Sequence, residues 1–284
     1  MTKAKIKSVL LTVVLCVAVT LITGYAIAGF IFLLPEEYQD SDFYPFSPSH
    51  ILSFLIMLIV AFITKIKVTN CKIKSFLAGV FKYGIIMMLF CVIYIVVSLI
   101  WLKKWGWVYL GGSARIKEFL LKNILFYTIA GISEEFVYRG VVLNLLLKEF
   151  SIENRKDRMI ACLCGAVIFG LAHATGFLAG QGVMTTISQM IGASLIGIYF
   201  SAIYLRTNNI FSVMFLHALY NYSLDCVGLI METPKTYFIC QNVLVVIGIM
   251  LIALFIQGII MLWKGKFEEV STHAESELAH GKKS

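Results

Sequence analysis

A chain that offers one apolar run of about twenty residues after another has few folds open to it. In lipid every backbone N–H and C=O must find an internal partner, and for runs of this length that leaves the α-helix. Eight runs are predicted to span: Val9–Leu34, Ile51–Thr64, Tyr83–Leu102, Asn123–Leu147, Met159–Leu178, Val183–Leu205, Ile210–Ile230 and Tyr237–Trp263. The second is the shortest, because Lys65 ends it after 14 residues, and borrowing Phe46–His50 brings it to spanning length. Only 14% of the 284 residues are charged and 60% are apolar, whereas soluble domains carry roughly a quarter charged residues. The predicted fold class is therefore all-α: a polytopic transmembrane helical bundle of about eight spans, a multi-pass protein of the cell membrane.

Lys3, Lys5 and Lys7 precede the first run, and Ala26-Ile27-Ala28 within it resembles a signal-peptide cleavage site. Its apolar stretch exceeds the ~7–15 residues of a signal core, so it reads as a retained anchor. With a cytoplasmic N-terminus and eight spans, 17 of the 24 Lys and Arg fall on the inner side and six on the outer, with Arg139 inside a helix. The first outer segment has no Lys or Arg but carries Glu36, Glu37, Asp40 and Asp42. This is the positive-inside asymmetry, and it puts both termini in the cytoplasm. The net charge of +8 then reports topology and contact with anionic lipid, not nucleic-acid binding. Seven cysteines, an odd number without zinc-type spacing, read as packing residues. Helices one to three occupy 1–116, a core of helices four to seven 117–230, and helix eight 231–267. Residues 268–284 form a polar tail without pattern, expected to be flexible.

The informative residues are the polar ones at membrane depth, because an ionisable group inside a span is costly and marks a functional site by default. The fourth run contains Glu134-Glu135-xxx-Arg139, the fifth Phe169-xxx-His173 and the seventh His217-xxx-Asn221. Glu135 and Arg139 are four apart, so they share a helix face and can pair. Glu134 is rotated by about 100° from Glu135 and meets a different neighbour. That leaves Glu134 available as a general base. His217 and Asn221 share a face and can both donate to one small volume. At ~1.5 Å per residue, Glu134 lies ~21 Å from Lys148, His173 ~22 Å from Arg158, and His217 and Asn221 ~10 and ~16 Å from Ile210. These depths allow one common layer.

Each group alone has a plainer reading: Glu135–Arg139 as a structural pair, either His as a packing residue, Phe169 as a wall and Asn221 as interhelical glue. Asp225, four residues beyond Asn221, reads as rim. The glycines and Ala193-xxx-Gly197 read as close-packing positions. It is the conjunction of two Glu, an Arg, two His and an Asn on three helices that points to chemistry.

These strings, in this order and each on its own run, resemble the EExxxR, FxxxH and HxxxN/D signature of the CAAX-protease and bacteriocin-processing (CPBP, or Abi) family of intramembrane glutamate endopeptidases. The resemblance covers about Lys117 to Ile230. It implies that Glu134 and His173 activate a water, that His217 and Asn221 hydrogen-bond the oxyanion, and that Glu135 and Arg139 hold the helix. It implies a membrane-associated protein or peptide as substrate, through CAAX-type processing or bacteriocin processing and self-immunity, and no cofactor. Zinc held by the two His and a Glu is the minority alternative, as no HExxH string is present. Two other classes remain open: a non-catalytic membrane scaffold or regulator of a partner such as a sensor kinase, and a transporter or proton relay. The latter usually shows internal repeats, and the EE motif has no second copy.

Overall fold

A computed structural model gives the structure, describing residues 2–33, 48–68, 72–101, 103, 113–178, 180–231 and 237–264. Among the described residues the chain is all-helical. The helices are α1 (Lys3–Leu33), α2 (Pro48–Ile63), α3 (Ile73–Leu77, continued as a π-helix Ala78–Tyr83) and α4 (Ile85–Trp101). They continue with α5 (Ser113–Glu135, prolonged by a π-helix Phe136–Leu143 and by Asn144–Leu147), α6 (Arg155–Ala172), α7 (Val183–Thr207), α8 (Ile210–Met231) and α9 (Tyr237–Trp263). Among the described residues four stretches are long and apolar enough to cross a membrane: Lys3–Ile22, Arg155–Phe177, Val183–Thr207 and Val246–Trp263. A bent pair, Ile73–Tyr83 with Ile85–Ile100, makes a fifth if counted as one span. The acidic segment at Glu36–Asp42 and the tail from Glu268 lie outside the described residues.

Helix α7 is central. It packs on α6 and α9, while α8 packs on α5 and α4. From Ile196 to Leu205 α7 is buried on every side, as expected of a helix that is apolar all round. Large apolar side chains are left exposed on α1, α2, α4 and α9, among them Val14, Phe62, Ile100 and Ile249; a bilayer would cover them. Cys16, Cys91, Cys162 and Cys226 are buried, Cys164 is half-buried, and none of these five is in a disulfide.

Two boundaries differ from expectation. The third predicted run, Tyr83–Leu102, corresponds to α4, but it begins at a bend of 71° at Gly84 that joins it to a further helix, Ile73–Tyr83. A Cβ on Gly84 would stand 2.5 Å from a Leu216 methyl, so only glycine lets the bend pack against α8. The Tyr83 carbonyl next to the break accepts from Tyr199 Oη at 2.7 Å and Gln257 Nε2 at 3.3 Å. The backbone group is thus satisfied by α7 and α9, as burial demands. The fifth run, Met159–Leu178, ends early: α6 stops at Ala172 with His173 as its C-cap, and a separate turn Thr175–Leu178 follows. His173 therefore sits at the end of a helix, not within one.

Basic residues tie alternate helix ends together at one end of the bundle. Lys5 at the start of α1 donates to Asp157 at 2.5 Å, and Lys148 after α5 donates to the Thr64 carbonyl after α2 at 2.9 Å. Arg158 at the start of α6 donates to the Leu262 carbonyl at 2.7 and 3.0 Å, and Arg206 at the end of α7 to the Met261 carbonyl at 2.7 and 3.1 Å. Asn209, before α8, reaches the Lys72 carbonyl before α3 at 3.4 Å. Lys5 and Leu262, near the two chain ends, share this end of the bundle.

Candidate active site

A cavity of about 670 Å³ opens between α1, α2, α5, α6 and the start of α7. Glu134, Tyr138, Phe169, His173 and His50 are on its wall. The helical rotation that separates Glu134 from Glu135 gives them opposite fates. Glu134 lines the cavity, whereas Glu135 is fully buried behind it.

Glu135 is held from two sides. Arg139 Nη1 donates to its Oε1 at 2.7 Å from one turn away. His217 Nδ1, from α8, lies 2.7 Å from the same oxygen. A carboxylate only accepts, so Nδ1 carries the proton and Nε2 is the nitrogen left for Glu134. It stands 3.7 Å from Glu134 Oε2, longer than a hydrogen bond, so the ring lies between the two carboxylates and pairs with both only when doubly protonated. Arg139, 1% exposed, also donates to the Gly197 carbonyl at 3.3 Å and lies 4.5 Å over the Phe169 ring and 5.4 Å from that of Phe200. Gly197 permits this, since a Cβ there would come within 3.1 Å of Ala166 and 3.3 Å of the guanidinium.

The π-helical stretch beginning at Phe136 has a local cause. Widening the helix loosens the regular i→i−4 ladder, and Asn144 Nδ2 donates to the carbonyls of Arg139 and Gly140 at 3.0 and 2.9 Å. Tyr204 accepts from the same amide at 2.8 Å and donates onward to the Val68 carbonyl at 2.6 Å. Polar side chains from α5 and α7 thus stabilise the irregular turn that follows the glutamates.

Phe169 and His173 work as a unit. His173 Nδ1 donates to the Phe169 carbonyl at 3.1 Å, so Nε2 is the nitrogen turned away from that bond. The Phe169 ring stands edge-on to His173 at 5.1 Å and to His217 at 5.9 Å. It is a spacer that orients both imidazoles and carries the arginine on one face.

His50, on α2, was not among the sequence-derived site residues. Its Nε2 lies 2.9 Å from Glu134 Oε1, while its buried Nδ1 has no hydrogen-bond partner among the described residues. It is the hydrogen-bonding partner of Glu134, where the sequence suggested only His173. The signal was available: His50 is 15 residues from Lys65, ~22 Å at the helical rise, the same depth as Glu134 and His173.

Asn221 lies one turn beyond His217 and is half-buried, but it is not on the wall of the Glu134 cavity. Asp225 accepts from Asn123 at 2.6 Å and from Tyr127 at 3.1 Å, tying α8 to α5. Among the described residues no three His, Cys, Asp or Glu side chains are grouped to hold a metal ion.

A half-buried carboxylate beside two imidazoles, facing a cavity in a helical bundle, has the donor and acceptor groups that general acid–base chemistry uses. The family model of type II CAAX prenyl endopeptidase Rce1-like proteins matches residues 116–223, the stretch that holds all three motifs. The match, over less than half of the chain, supports the resemblance of that stretch to the CPBP proteases. No curated protein and no solved structure matches the chain.

Proposed function

We propose that the chain is an intramembrane endopeptidase that hydrolyses a peptide bond of a membrane-associated protein or peptide with a water activated by Glu134. The observation that carries this reading is Glu134 on the wall of a cavity that His50 and His173 share, with His50 at 2.9 Å from it and the buried His217, off that wall, at 3.7 Å. In the scheme, the water sits between Glu134 and Nε2 of His173. Glu134 takes its proton as the oxygen attacks the carbonyl carbon, and that proton is delivered to the departing amine. His217, in the doubly protonated form whose Nε2–H is free while Nδ1–H stays on Glu135, and Asn221 donate to the oxyanion that forms; Asn221 enters through the motif it shares with the family. His50 is a positioning residue that holds the Glu134 carboxylate. Glu135 and Arg139 hold α5 and, through His217, the site. The scheme needs no cofactor. It also takes the full topology as eight spans of a cell-membrane protein, both termini cytoplasmic.

The test is Glu134→Gln, which keeps size and hydrogen bonding but removes the basic oxygen. Purified protein is assayed on prenylated CAAX-type and unmodified membrane peptides, with melting followed on the same preparation. Turnover is expected to vanish while melting stays within experimental scatter. A variant that still supports full biological function would transfer the chain to the scaffold class.

A further inference from the structure

The position of the cavity along the bundle says from which side a substrate comes. Lys5, Lys148, Arg158 and Arg206 are joined into one end by the contacts described above. From that end, Glu134 is 14 residues along α5, His173 is 15 along α6 and His50 is 15 along α2. At the helical rise each is ~21–22 Å away, or ~8–9 Å from the far face of a ~30 Å hydrocarbon core. His217, which faces the same carboxylate from α8, is only ~10 Å from Ile210 at the basic end. The layer is therefore near mid-membrane, and the opening of the cavity decides the side of access. The cavity also extends away from the basic end. Its wall includes Thr175, Gln181 and Gln189, all exposed and all beyond the C-cap of α6 or on the first turns of α7. The sequence between Leu33 and Pro48, which joins the cavity-side ends of α1 and α2, has four acidic residues and no basic one.

Basic residues collect on the cytoplasmic side of a membrane protein. We infer that this site is reached from the extracytoplasmic side, and that its substrate is an uncharged peptide segment presented at that face, not a tail anchored in the cytoplasmic leaflet. The substrate half rests on the endopeptidase reading; the sidedness does not. The lack of charge in the segment follows from the wall. Among the described residues Glu134 is its one carboxylate, and it has no Lys or Arg; besides the imidazoles of His50 and His173, its polar groups are neutral, among them Thr20, Ser53, Gln181 and Gln189. A prenylated C-terminus, by contrast, is made on a cytosolic protein and would meet the basic end.

Sidedness is read with a membrane-impermeant maleimide on full-length protein carrying Thr175→Cys, Gln181→Cys or, at the basic end, the exposed Lys156→Cys. Labelling is scored above that of the unsubstituted chain. The first two are expected to label in intact cells, and Lys156→Cys only in inside-out vesicles. Labelling of Thr175→Cys and Gln181→Cys only in inside-out vesicles, or of Lys156→Cys in intact cells, overturns the inference. The substrate half is read by comparing peptide fragments from cells making the wild type and Glu134→Gln. Fragments that depend on Glu134 are expected outside the cytoplasm, and their recovery from the cytoplasm alone overturns it. Normal sidedness with no Glu134-dependent fragment anywhere would instead refute the endopeptidase reading.

Discussion

Removing Arg139 should cost far more stability than an ordinary substitution, and the geometry says how much. Its guanidinium is buried, bonded to Glu135 at 2.7 Å and to the Gly197 carbonyl at 3.3 Å, and stacked 4.5 Å over Phe169. Breaking a buried ion pair from one side costs ~3–5 kcal/mol, because the remaining charge stays buried without its partner. The cation–π contact adds ~0.5–2 kcal/mol. For a protein of this size a loss of that order lowers the melting temperature by on the order of 10 °C. Arg139→Ala and Glu135→Ala should each show it. Arg139→Lys should not rescue, since a single ammonium cannot serve the carboxylate, the carbonyl and the ring at once. The double variant Glu135→Leu/Arg139→Met leaves no stranded charge, so it should lose less than the two singles together, by well over the ~0.5 kcal/mol at which distant sites add. His217 still loses its acceptor in the double variant, so turnover should stay low even where melting recovers. Melting in detergent and peptide cleavage, measured on one preparation, separate the two effects. Additive losses, or a melting point unmoved by Arg139→Ala, would refute the coupling.

His50→Ala should depress kcat while melting changes little, because His50 is half-buried and contacts Glu134 through one hydrogen bond; His50→Gln, which can still donate, should restore part of it. Full activity in His50→Ala would remove His50 from the site. Asn221→Ala should lower turnover by ~10²–10³, the loss typical of an oxyanion donor, with KM nearly unchanged; a loss confined to KM would make Asn221 a binding group. Strong chelators should leave purified activity intact, and loss on chelation restored by stoichiometric zinc would assign a metal-activated water.

How much of this was legible without coordinates differs by length scale. Apolar runs reveal helices, and spacing within one helix revealed that Glu135 faces Arg139, because both are local properties of a 3.6-residue period. The bend at Gly84 was hidden because nothing local forces it: it depends on Leu216, Tyr199 and Gln257 from three other helices. The end of α6 at His173 was hidden for a similar reason, since the apolar run continues past it to Leu178. His50 was missed because its partner is 84 residues away and no motif spacing connects them. Only depth connects them, and counting residues from the basic end of each run would have put His50 in the layer of Glu134. The place of His217 between the two carboxylates was not readable at all, as a helical wheel gives the face of α8 but not which of two adjacent carboxylates it meets.

Two neighbouring glutamates with different surroundings explain why so costly a cluster sits at membrane depth. Glu134 needs a defined position facing the cavity, and a lone carboxylate on a helix among apolar neighbours would have little to hold it there. His50 holds one of its oxygens directly, and Glu135 supports it from behind. Through Arg139, Glu135 is joined to the Gly197 carbonyl of α7, and through His217 to α8. His217 then presents its other nitrogen to Glu134, so the carboxylate facing the cavity is referenced to three helices at once. Phe169 closes the arrangement from α6 by touching Arg139, His173 and His217. On the endopeptidase reading, a site preorganised in this way would let its donors and base meet a transition state without rearranging, which is where electrostatic catalysis gains most. The buried arginine is therefore understandable as the support of the glutamate beside its partner, and damage to it should be felt in the cavity by way of His217.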